Sequence, residues 1–327
     1  MLHSEIRLGP GVYDNLDDEI YHGDCCEGPS ISSTGVRQVL SDPAVYWEGS
    51  ALNPEVKAKR AQEMAEARAK GEAPKKRHFD KGKAGHVMVL EPHRLQDSVS
   101  VVPAELLGAN GSLSTKAAKA FAAEQSALGR SVLKPDEWEA ICDVGDILTN
   151  SGWFLDLVDG YVPEQSHIWR DDVTGVYLKS RPDLTPPSAD RFILDVKYTD
   201  VEDIDQWVKK SLVDFRLDIQ AAFQMWGVEV SHGFQVPGVC YVVINPKKKR
   251  VALRTIRVAN DVHRDMLTAA RLDLRAGINR FADCWDRGVW PSPWDKAADM
   301  IPPDFRLRQI QKQVTESGAA FSAGYSA

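Results

Sequence analysis

A short β-rich segment, residues 191–198, constrains the fold more than any other part of this sequence. Side chains along a strand alternate between its two faces. One face of this segment is apolar and is predicted to lie on the core; it carries Phe192, Leu194 and Val196. The other face carries Ile193, Asp195 and Lys197, with the two charged residues two positions apart. The segment therefore predicts a strand that holds a carboxylate and an ammonium group side by side.

A second carboxylate, Asp183, follows the preceding β-rich run, residues 176–182. The turn-rich loop 185–190 joins the two runs, so a hairpin would bring Asp183 close to Asp195. Neighbouring carboxylates repel each other unless a cation lies between them. Oxygen ligands select hard cations, so we expect Mg²⁺ as the cofactor, with Mn²⁺ able to replace it.

This combination matches what phosphodiester hydrolysis requires. A divalent metal polarises the phosphoryl oxygen and helps to deprotonate water. A lysine beside the metal can orient that water or offset the charge that builds on phosphorus. An Asp-x-Lys pattern alone is more often a surface ion pair, so the functional interpretation depends on the surrounding residues.

The rest of the chain predicts a mixed sheet with flanking helices, an α/β or α+β architecture. Periodicity and turn signals predict helices at 82–91, 114–128, 135–149, 214–230 and 259–287, and strands at 164–169, 176–182, 191–198, 239–245 and 250–257. Another helix is expected to begin near Ser32 or Ser33. Residues 55–78 are highly charged and predict a solvated helix followed by a basic loop with Lys75, Lys76 and Arg77. Residues 311–327 are small and polar, which predicts a disordered tail.

Composition excludes several classes of protein. The 327 residues carry a net charge of −7, which argues mildly against a nonspecific nucleic-acid coat protein but not against a DNA enzyme. The five cysteines contain no C-x-x-C, so we expect reduced thiols and no zinc or iron–sulfur site. No apolar run reaches the roughly 18 residues of a membrane span, and no secretory signal is recognisable. We expect a cytoplasmic protein without a membrane partner.

Four further residues have two interpretations each. His86 lies in an apolar helix, as either a hydrogen-bonded core residue or a metal ligand. Glu164 is either an exposed charge at a strand start or part of the site. Gln220 and Gln224 lie four residues apart on one helix face, where they contact the site or only solvent.

Taken in order, the motifs resemble those of the PD-(D/E)XK nuclease superfamily. More narrowly, they resemble the nuclease domain of RecE-type exonucleases (exodeoxyribonuclease VIII), which are close to RecB-type nucleases. The matching segments are Ser30–Ser33 with Asp42–Tyr46, Gly82–His86 continuing to Pro92, Glu164 with Ile168-Trp169, Arg181-Pro-Asp183 with Asp195-Val-Lys197, and Gln220. They span roughly residues 20–295. One departure is Gln224, which stands where the family motif has Tyr.

The resemblance implies a restriction-endonuclease-like α/β domain over residues 1–310. It would comprise a helical N-terminal part (30–150), a catalytic sheet core (160–290) and a charged insertion (55–78). The implied metal ligands are His86, Asp183, Asp195 and the backbone carbonyl of Val196. The implied catalytic residues are Lys197, Asp195, Asp183, Glu164 and Gln220. The residues expected to bind DNA or its 5′-phosphate are Ser32, Ser33, Arg37, Arg181 and Gln224.

The resemblance also implies an activity. A Mg²⁺-dependent exonuclease would degrade linear double-stranded DNA from its ends, in the 5′→3′ direction. It would leave 3′ single strands for a RecT-like annealing protein, in phage or prophage recombination. A ring-shaped homo-oligomer is implied, with a tetramer favoured over a trimer.

Three alternatives remain open at this stage. The first is an endonuclease of the same superfamily. The second, an iron–sulfur-containing nuclease of that superfamily, is disfavoured because the cysteines lack a cluster pattern. The third is an inactive protein that binds DNA ends, for which Gln224 would mark lost chemistry.

Overall fold

The computed structural model describes residues 6–69, 81–91, 94–150, 152–295, 297, 299–302 and 304–324. Contacts divide the chain into two units, Met1–Trp290 and Pro291–Ala327. Within the described residues the strands are β1 (Gly11–Tyr13), β2 (Ser30–Ile31), β3 (Val99–Val101), β4 (Ser131–Leu133), β5 (Val162–Pro163), β6 (Ser166–Arg170), β7 (Tyr177–Ser180), β8 (Leu184–Thr185), β9 (Ile193–Tyr198), β10 (Gly238–Asn245) and β11 (Arg250–Arg257). The helices are α1 (Asp18–Tyr21), α2 (Ser33–Ser41), α3 (Pro43–Gly49), α4 (Pro54–Ala69), α5 (Lys81–Leu90), α6 (Leu95–Ser98), α7 (Lys116–Ala127), α8 (Pro135–Thr149), α9 (Gly152–Val158), α10 (Ile204–Val213), α11 (Leu217–His232), α12 (Asp261–Arg287) and α13 (Asp304–Gly324). Short 3₁₀ turns lie at Ala104–Leu106 and Pro293–Asp295.

The larger sheet of the first unit contains β9, the strand with Asp195. Its strand order is β11-β10-β9-β8-β5. β9 lies in the middle, parallel to β10 and antiparallel to β8. Parallel neighbours need a long crossover connection, and the helices α10 and α11 form it. The connection brings α11 back across the sheet.

β9 is buried on both faces. Ile193, Leu194, Asp195 and Val196 each expose 1% or less of their surface. Ile193 packs in the main core with residues of α11, whereas Val196 packs with residues of α8 and α9. The sequence predicted one core face and one polar face, but helices cover a sheet of this kind on both sides. The charge of Asp195 is therefore buried.

A second sheet has the strand order β1-β6-β7-β2, and its strands β6 and β7 contact α11. Trp169 of β6 is 3% exposed and packs against Phe223 and Trp226 of α11. Helix α11 also contacts β10 of the larger sheet. Contact with both sheets buries most of α11, including polar side chains that a surface helix would expose to water. A third, two-stranded sheet pairs β3 with β4.

Helices α2 and α12 pack closely at Gly277. A Cβ atom at this glycine would lie 2.6 Å from Cγ1 of Val36 and 3.1 Å from Cγ of Leu40. The contact holds α2, with Ser32 at its N-terminus, against the long C-terminal helix of the first unit. An aromatic cluster continues this interface, comprising Tyr46, Trp47, Phe281, Trp285 and Trp290.

Helix α5 approaches β9 at Gly85. A Cβ atom there would overlap the Tyr198 ring, so the absence of a side chain permits the contact. The glycine thus lets α5 lie against the end of the strand with Asp195 and Lys197. The next residue of α5 is His86, and its position depends on this close approach.

Most predicted elements of residues 82–287 are confirmed, with boundaries shifted by a few residues. Helix α10 was not predicted as a separate element, although it buries Trp207 and Ser211. The short strands β1 and β2 were also missed, because two or three residues carry too little periodicity to recognise. The predicted α/β architecture, a mixed sheet with helices on both sides, is confirmed.

The predictions for the charged stretch 55–78 and for the polar tail 311–327 have different outcomes. Helix α4 is largely exposed, as predicted for the start of the charged stretch. The predicted basic loop with Lys75, Lys76 and Arg77 lies outside the described residues. The tail predicted as disordered from 311 instead continues α13 as far as Gly324, since Gln, Lys and Ala favour helix. The contact-based division falls after Trp290, and the single domain over residues 1–310 stays a prediction. Among the helices of the described ranges, none is long and apolar enough to cross a membrane.

The close packing at Gly277 predicts a loss of stability when this position is filled. We expect Gly277→Leu to lower the free energy of unfolding by about 1–3 kcal/mol, because the added side chain must displace Val36 and Leu40. Urea denaturation followed by circular dichroism measures the change. Ala269→Leu, at an exposed position of the same helix, is the control and should change stability little. Equal stabilities of the two variants would contradict the packing described.

Candidate active site

The pairing of β8 with β9 brings Asp183 to the middle of β9. Leu184 pairs with Leu194, and Asp183 directly precedes β8. Oδ2 of Asp183 accepts a hydrogen bond from the backbone N–H of Val196 at 2.5 Å. The predicted hairpin between the runs 176–182 and 191–198 is wrong, because 176–182 forms β7 of the second sheet and pairs there with β6; the antiparallel neighbour of β9 is the short strand β8 that follows Asp183. Asp183, the residue before β8, therefore lies beside Asp195 of β9.

Asp195 is surrounded by donors. Its Oδ1 forms an ion pair with Nζ of Lys197. Its Oδ2 accepts two hydrogen bonds, from Nε2 of Gln220 and from Nε2 of Gln224, each at 2.9 Å. A buried charge is costly unless it is paired and hydrogen-bonded. These three groups supply that compensation for a carboxylate that is 1% exposed.

His86 of α5 faces the same part of the sheet. Its Nε2 lies 3.0 Å from the carbonyl oxygen of Val196, and its Nδ1 lies 3.8 Å from Oδ1 of Asp183. A carbonyl oxygen only accepts, so Nε2 must carry the proton in this hydrogen bond. In a neutral imidazole, Nδ1 then presents a lone pair towards Asp183. Two groups that both accept face each other here, an arrangement that a bound cation would stabilise.

Glu164 completes an acidic group. Ligand atoms of His86, Glu164 and Asp183 all lie within 4.8 Å of one another. The backbone N–H of Glu164 donates to the carbonyl oxygen of Asp183 at 2.9 Å. Glu164 has φ = 48°, a left-handed conformation that is uncommon outside glycine. Such strained conformations persist where the surrounding structure enforces them, often at functional sites.

Burial and mutual repulsion raise the pKa values of the two carboxyls in this group. Burial, and then the charge of Asp183, raise the pKa of Glu164 to about 8. Burial, and then the charge of Asp195, raise the pKa of Asp183. Burial alone would lower the pKa of Lys197, but Asp195 and Asp183 outweigh it and leave that pKa above its ordinary value. The site thus has an excess of negative charge that a divalent cation would neutralise.

The donor set fits a hard divalent metal. His86, Glu164 and Asp183 offer one nitrogen and two carboxylate groups at close range. Asp195 was predicted as a ligand too, but in the structure its oxygens are engaged by Lys197 and the two glutamines. The carbonyl of Val196, also predicted as a ligand, accepts from His86 instead. Orientation of a metal-binding histidine through its second nitrogen is common in metal sites.

The predicted phosphate-binding residues of α2 lie at the start of that helix and on its first turns. Ser32 is the N-cap and accepts from the backbone N–H of Gly35 at 3.4 Å. Ser33 is the first helical residue. Arg37 donates to the carbonyl oxygen of Phe215, and its charge acts on Lys197. Ser32 thus caps the helix, Ser33 begins it, and Arg37 borders the site.

Two other residues predicted to bind DNA are largely internal. The guanidinium of Arg181 donates to Ser166, Asp18 and the carbonyl oxygen of Leu16, and its side chain is 6% exposed. It therefore ties β7 to the N-terminal segment. Gln224 is 3% exposed and donates to Asp195. Neither side chain lies on an open surface in this structure.

Sequence reasoning missed an ion pair beside Glu164. Glu91, which follows α5, is 7% exposed, and both its oxygens accept from NH1 of Arg94 at 2.8 Å. The charge of Glu91 contributes to the raised pKa of Glu164. The sequence feature that could have indicated Glu91 is its position in the segment Gly82–Pro92, five residues after His86. That segment was interpreted only through its histidine.

The raised pKa of Glu164 predicts a pH-dependent stability of the metal-free protein. Above the ordinary pKa of a glutamate, the unfolded chain loses this proton while the folded protein keeps it. Stability should therefore fall as the pH rises from about 5 to about 8. Glu164→Gln stays neutral and should reduce that slope. Thermal unfolding in EDTA between these pH values measures it.

The control for this experiment is Glu105→Gln, which neutralises an exposed glutamate and should leave the wild-type slope in place. An identical slope for Glu164→Gln and wild type would show that Glu164 is ionised normally in the folded protein. The electrostatic account of the acidic group would then be wrong.

Comparisons with known proteins agree with this geometry. The model of a family described as a PDDEXK-like domain of unknown function (DUF3799) matches residues 55–300. No curated protein matches the sequence significantly. The crystal structure of a proposed exonuclease from Eubacterium rectale resembles the fold with a TM-score of 0.50 and 12% identity, over 90% of this chain and 98% of that chain. At such low identity the likeness concerns the fold alone.

The family match includes the candidate metal ligands and Lys197, but not Ser32, Ser33 and Arg37 of α2. His86, Glu164, Asp183, Asp195 and Lys197 all fall within residues 55–300. The family and the fold support a nuclease function. By the extent of the match, the chain belongs to the PDDEXK-like family described as a domain of unknown function.

Proposed function

We propose that this protein is a divalent-metal-dependent exodeoxyribonuclease that degrades linear double-stranded DNA from its ends. One observation carries the proposal. Asp195 and Lys197 of β9 lie beside Asp183, the residue before β8, and His86 and Glu164 lie next to Asp183. A surface ion pair between Asp195 and Lys197 would not need burial or convergence of elements far apart in sequence.

The residues have distinct roles in this proposal. His86, Glu164 and Asp183 would hold the metal, and Asp195 would join them by its Oδ1. When bound, a metal such as Mg²⁺ supplies polarisation of the phosphoryl oxygen and a lower pKa for bound water. Gln220 orients Asp195, and the carbonyl of Val196 orients His86.

Lys197 is proposed to act as a cation rather than as a base. Its pKa lies above the ordinary value, because Asp195 and Asp183 outweigh the effect of burial. An ammonium group has three donors and no acceptor, so it can orient water or bind a phosphoryl oxygen but cannot take up a proton. Stabilisation of the charge developing on phosphorus is the corresponding catalytic contribution.

The finer features of the proposal rest on the resemblance to RecE-type exonucleases. They include 5′→3′ polarity, a Mg²⁺ requirement that Mn²⁺ can satisfy, and 3′ single strands passed to a RecT-like annealing protein. A ring-shaped homo-oligomer that encloses DNA belongs to the same proposal. Ser32, Ser33 and Arg37, at the start of α2, are the proposed contacts for the terminal 5′-phosphate. A helix N-terminus is suited to bind phosphate through its free backbone N–H groups.

The activity is tested with purified protein, Mg²⁺ and two DNA substrates. A linear duplex carries different labels on its 5′ and 3′ ends, and a covalently closed circle serves as the second substrate. We expect early release of the 5′ label as a mononucleotide and no cleavage of the circle. EDTA should abolish the release because it removes the divalent metal. Asp195→Ala should abolish it because the substitution removes a carboxylate from the site.

The outcomes separate the alternatives. Cleavage of the circle would favour an endonuclease of the same superfamily. Early release of the 3′ label would reverse the proposed polarity. Binding of the linear duplex without any product would show an inactive protein that binds DNA ends, and the proposed mechanism would be wrong.

Loss of the Lys197 charge should affect turnover more than substrate binding. We expect Lys197→Met to lower kcat by about 100-fold or more, since a positioned donor at the reacting phosphate is lost. Its KM for linear duplex should change little. Lys209→Met, at an exposed position of α10, is the control and should retain wild-type turnover. A variant at residue 197 with wild-type kcat would remove the lysine from the mechanism.

A further inference from the structure

Two amide groups of α11 converge on a single carboxylate oxygen. Nε2 of Gln220 and Nε2 of Gln224 each lie 2.9 Å from Oδ2 of Asp195. The two glutamines lie four residues apart, so they stand one turn from each other on the same helix face. Oδ2 is therefore saturated by donors. The other oxygen, Oδ1, is the one that faces the Lys197 ammonium.

The orientation of the Gln224 amide follows from chemistry. The reversed orientation would place Oε1 against Oδ2, two acceptors with no proton between them. In the observed orientation, Oε1 of Gln224 is buried and has no hydrogen-bond partner within the described part of the chain. A buried acceptor without a partner destabilises a protein. The bond from Nε2 to Asp195 is the compensating contact that this side chain makes.

Burial also determines what Gln224 can contact. Its side chain is 3% exposed, and its neighbours on α11, Phe223 and Met225, are buried in the main core. A group at this depth does not reach a DNA strand outside the protein. It acts on the site through the Asp195 carboxylate.

We propose that Gln224 is a positioning residue that, together with Gln220, fixes Oδ2 of Asp195 and leaves Oδ1 as the oxygen presented to a cation. In the metal-free protein that cation is the Lys197 ammonium. When a divalent metal is bound, Oδ1 would be the oxygen that Asp195 offers to it. The inference rests on the proposed nuclease function, because it assigns Asp195 to the metal site.

The test measures metal binding without DNA, so that it does not depend on catalysis. Mn²⁺ affinity is determined by isothermal titration calorimetry for wild type, Gln224→Met and Gln235→Met. Methionine resembles glutamine in size but has no N–H donor, which limits the packing change. Loss of an outer-shell partner typically weakens metal binding by about 10- to 100-fold, and we expect this loss for Gln224→Met. Gln235 lies after α11, donates to Glu229 and should be neutral when changed.

A second variant tests the same proposal in case Gln224→Met does not fold. Gln220→Met changes a half-buried position and removes a donor from the same oxygen, so it should weaken Mn²⁺ binding in the same direction. Asp195→Asn sets the loss expected when the carboxylate charge itself is removed. Thermal unfolding of each variant in EDTA reports separately on folding.

A purely structural role for Gln224 would give a different result. Gln224→Met and Gln220→Met would then lower the unfolding temperature but keep wild-type Mn²⁺ affinity, which would overturn the proposal. In the nuclease assay, the proposal predicts a higher Mg²⁺ requirement for Gln224→Met, with kcat largely recovered at saturating Mg²⁺. An unchanged Mg²⁺ requirement would also contradict it.

The two proposals can fail separately. A wild-type protein that cuts no DNA, while Gln224→Met still weakens Mn²⁺ binding, would remove the nuclease function and keep the positioning role. A wild-type protein that cuts DNA, with a Gln224→Met variant of equal Mn²⁺ affinity, would keep the nuclease function and remove the positioning role.

Discussion

Burial of negative charge is the constraint on which the rest of this structure depends. Asp183 and Asp195 lie on neighbouring segments of the larger sheet, and neither is more than 9% exposed. Ionised carboxylates in such places need partners of opposite charge or several donors. The Lys197 ammonium, the amides of α11 and the backbone N–H of Val196 supply part of that compensation. Burial, and then the neighbouring carboxylates, raise the pKa values of Glu164 and Asp183, so these carboxyls are compensated less than they would be in water.

Helix α11 packs between the two sheets and also provides two of the side chains that contact Asp195. It packs against strands of both sheets, which explains why its polar residues are buried. A buried amide is stable when it has a fixed partner, and Asp195 is the partner for both glutamines. Gln224 stands where the resembling family has a tyrosine, yet it still directs a donor to the site. The departure therefore replaces one donor with another and is not by itself a sign of lost activity.

The site also depends on contacts outside the sheet. Gly85 allows α5 to lie against Tyr198, and this places His86 near Asp183. The left-handed conformation of Glu164 turns the chain between β5 and β6 and brings its carboxyl to the same group. Arg181 ties the end of β7 to the N-terminal segment through two hydrogen bonds and to Ser166 of β6 through a third, which stabilises the strand that precedes Asp183. Groups from three distant parts of the chain, α5, the turn before β6 and the segment before β8, thus converge on one position.

The sequence by itself determined the longer strands and helices and the presence of Asp183, Asp195 and Lys197 on two neighbouring segments. Alternation along 191–198 and turn signals at 185–190 are local properties, so they are visible without a structure. Tertiary structure alone decided which donors each carboxylate receives. Tertiary packing buries both faces of β9 and surrounds Asp195 with Lys197 and two glutamine amides. It brings Glu164 close to His86 and Asp183. It also buries the side chains of Arg181 and Gln224. These outcomes depend on how α5 and α11 pack across the sheet, and packing between distant segments leaves no periodic pattern in the sequence.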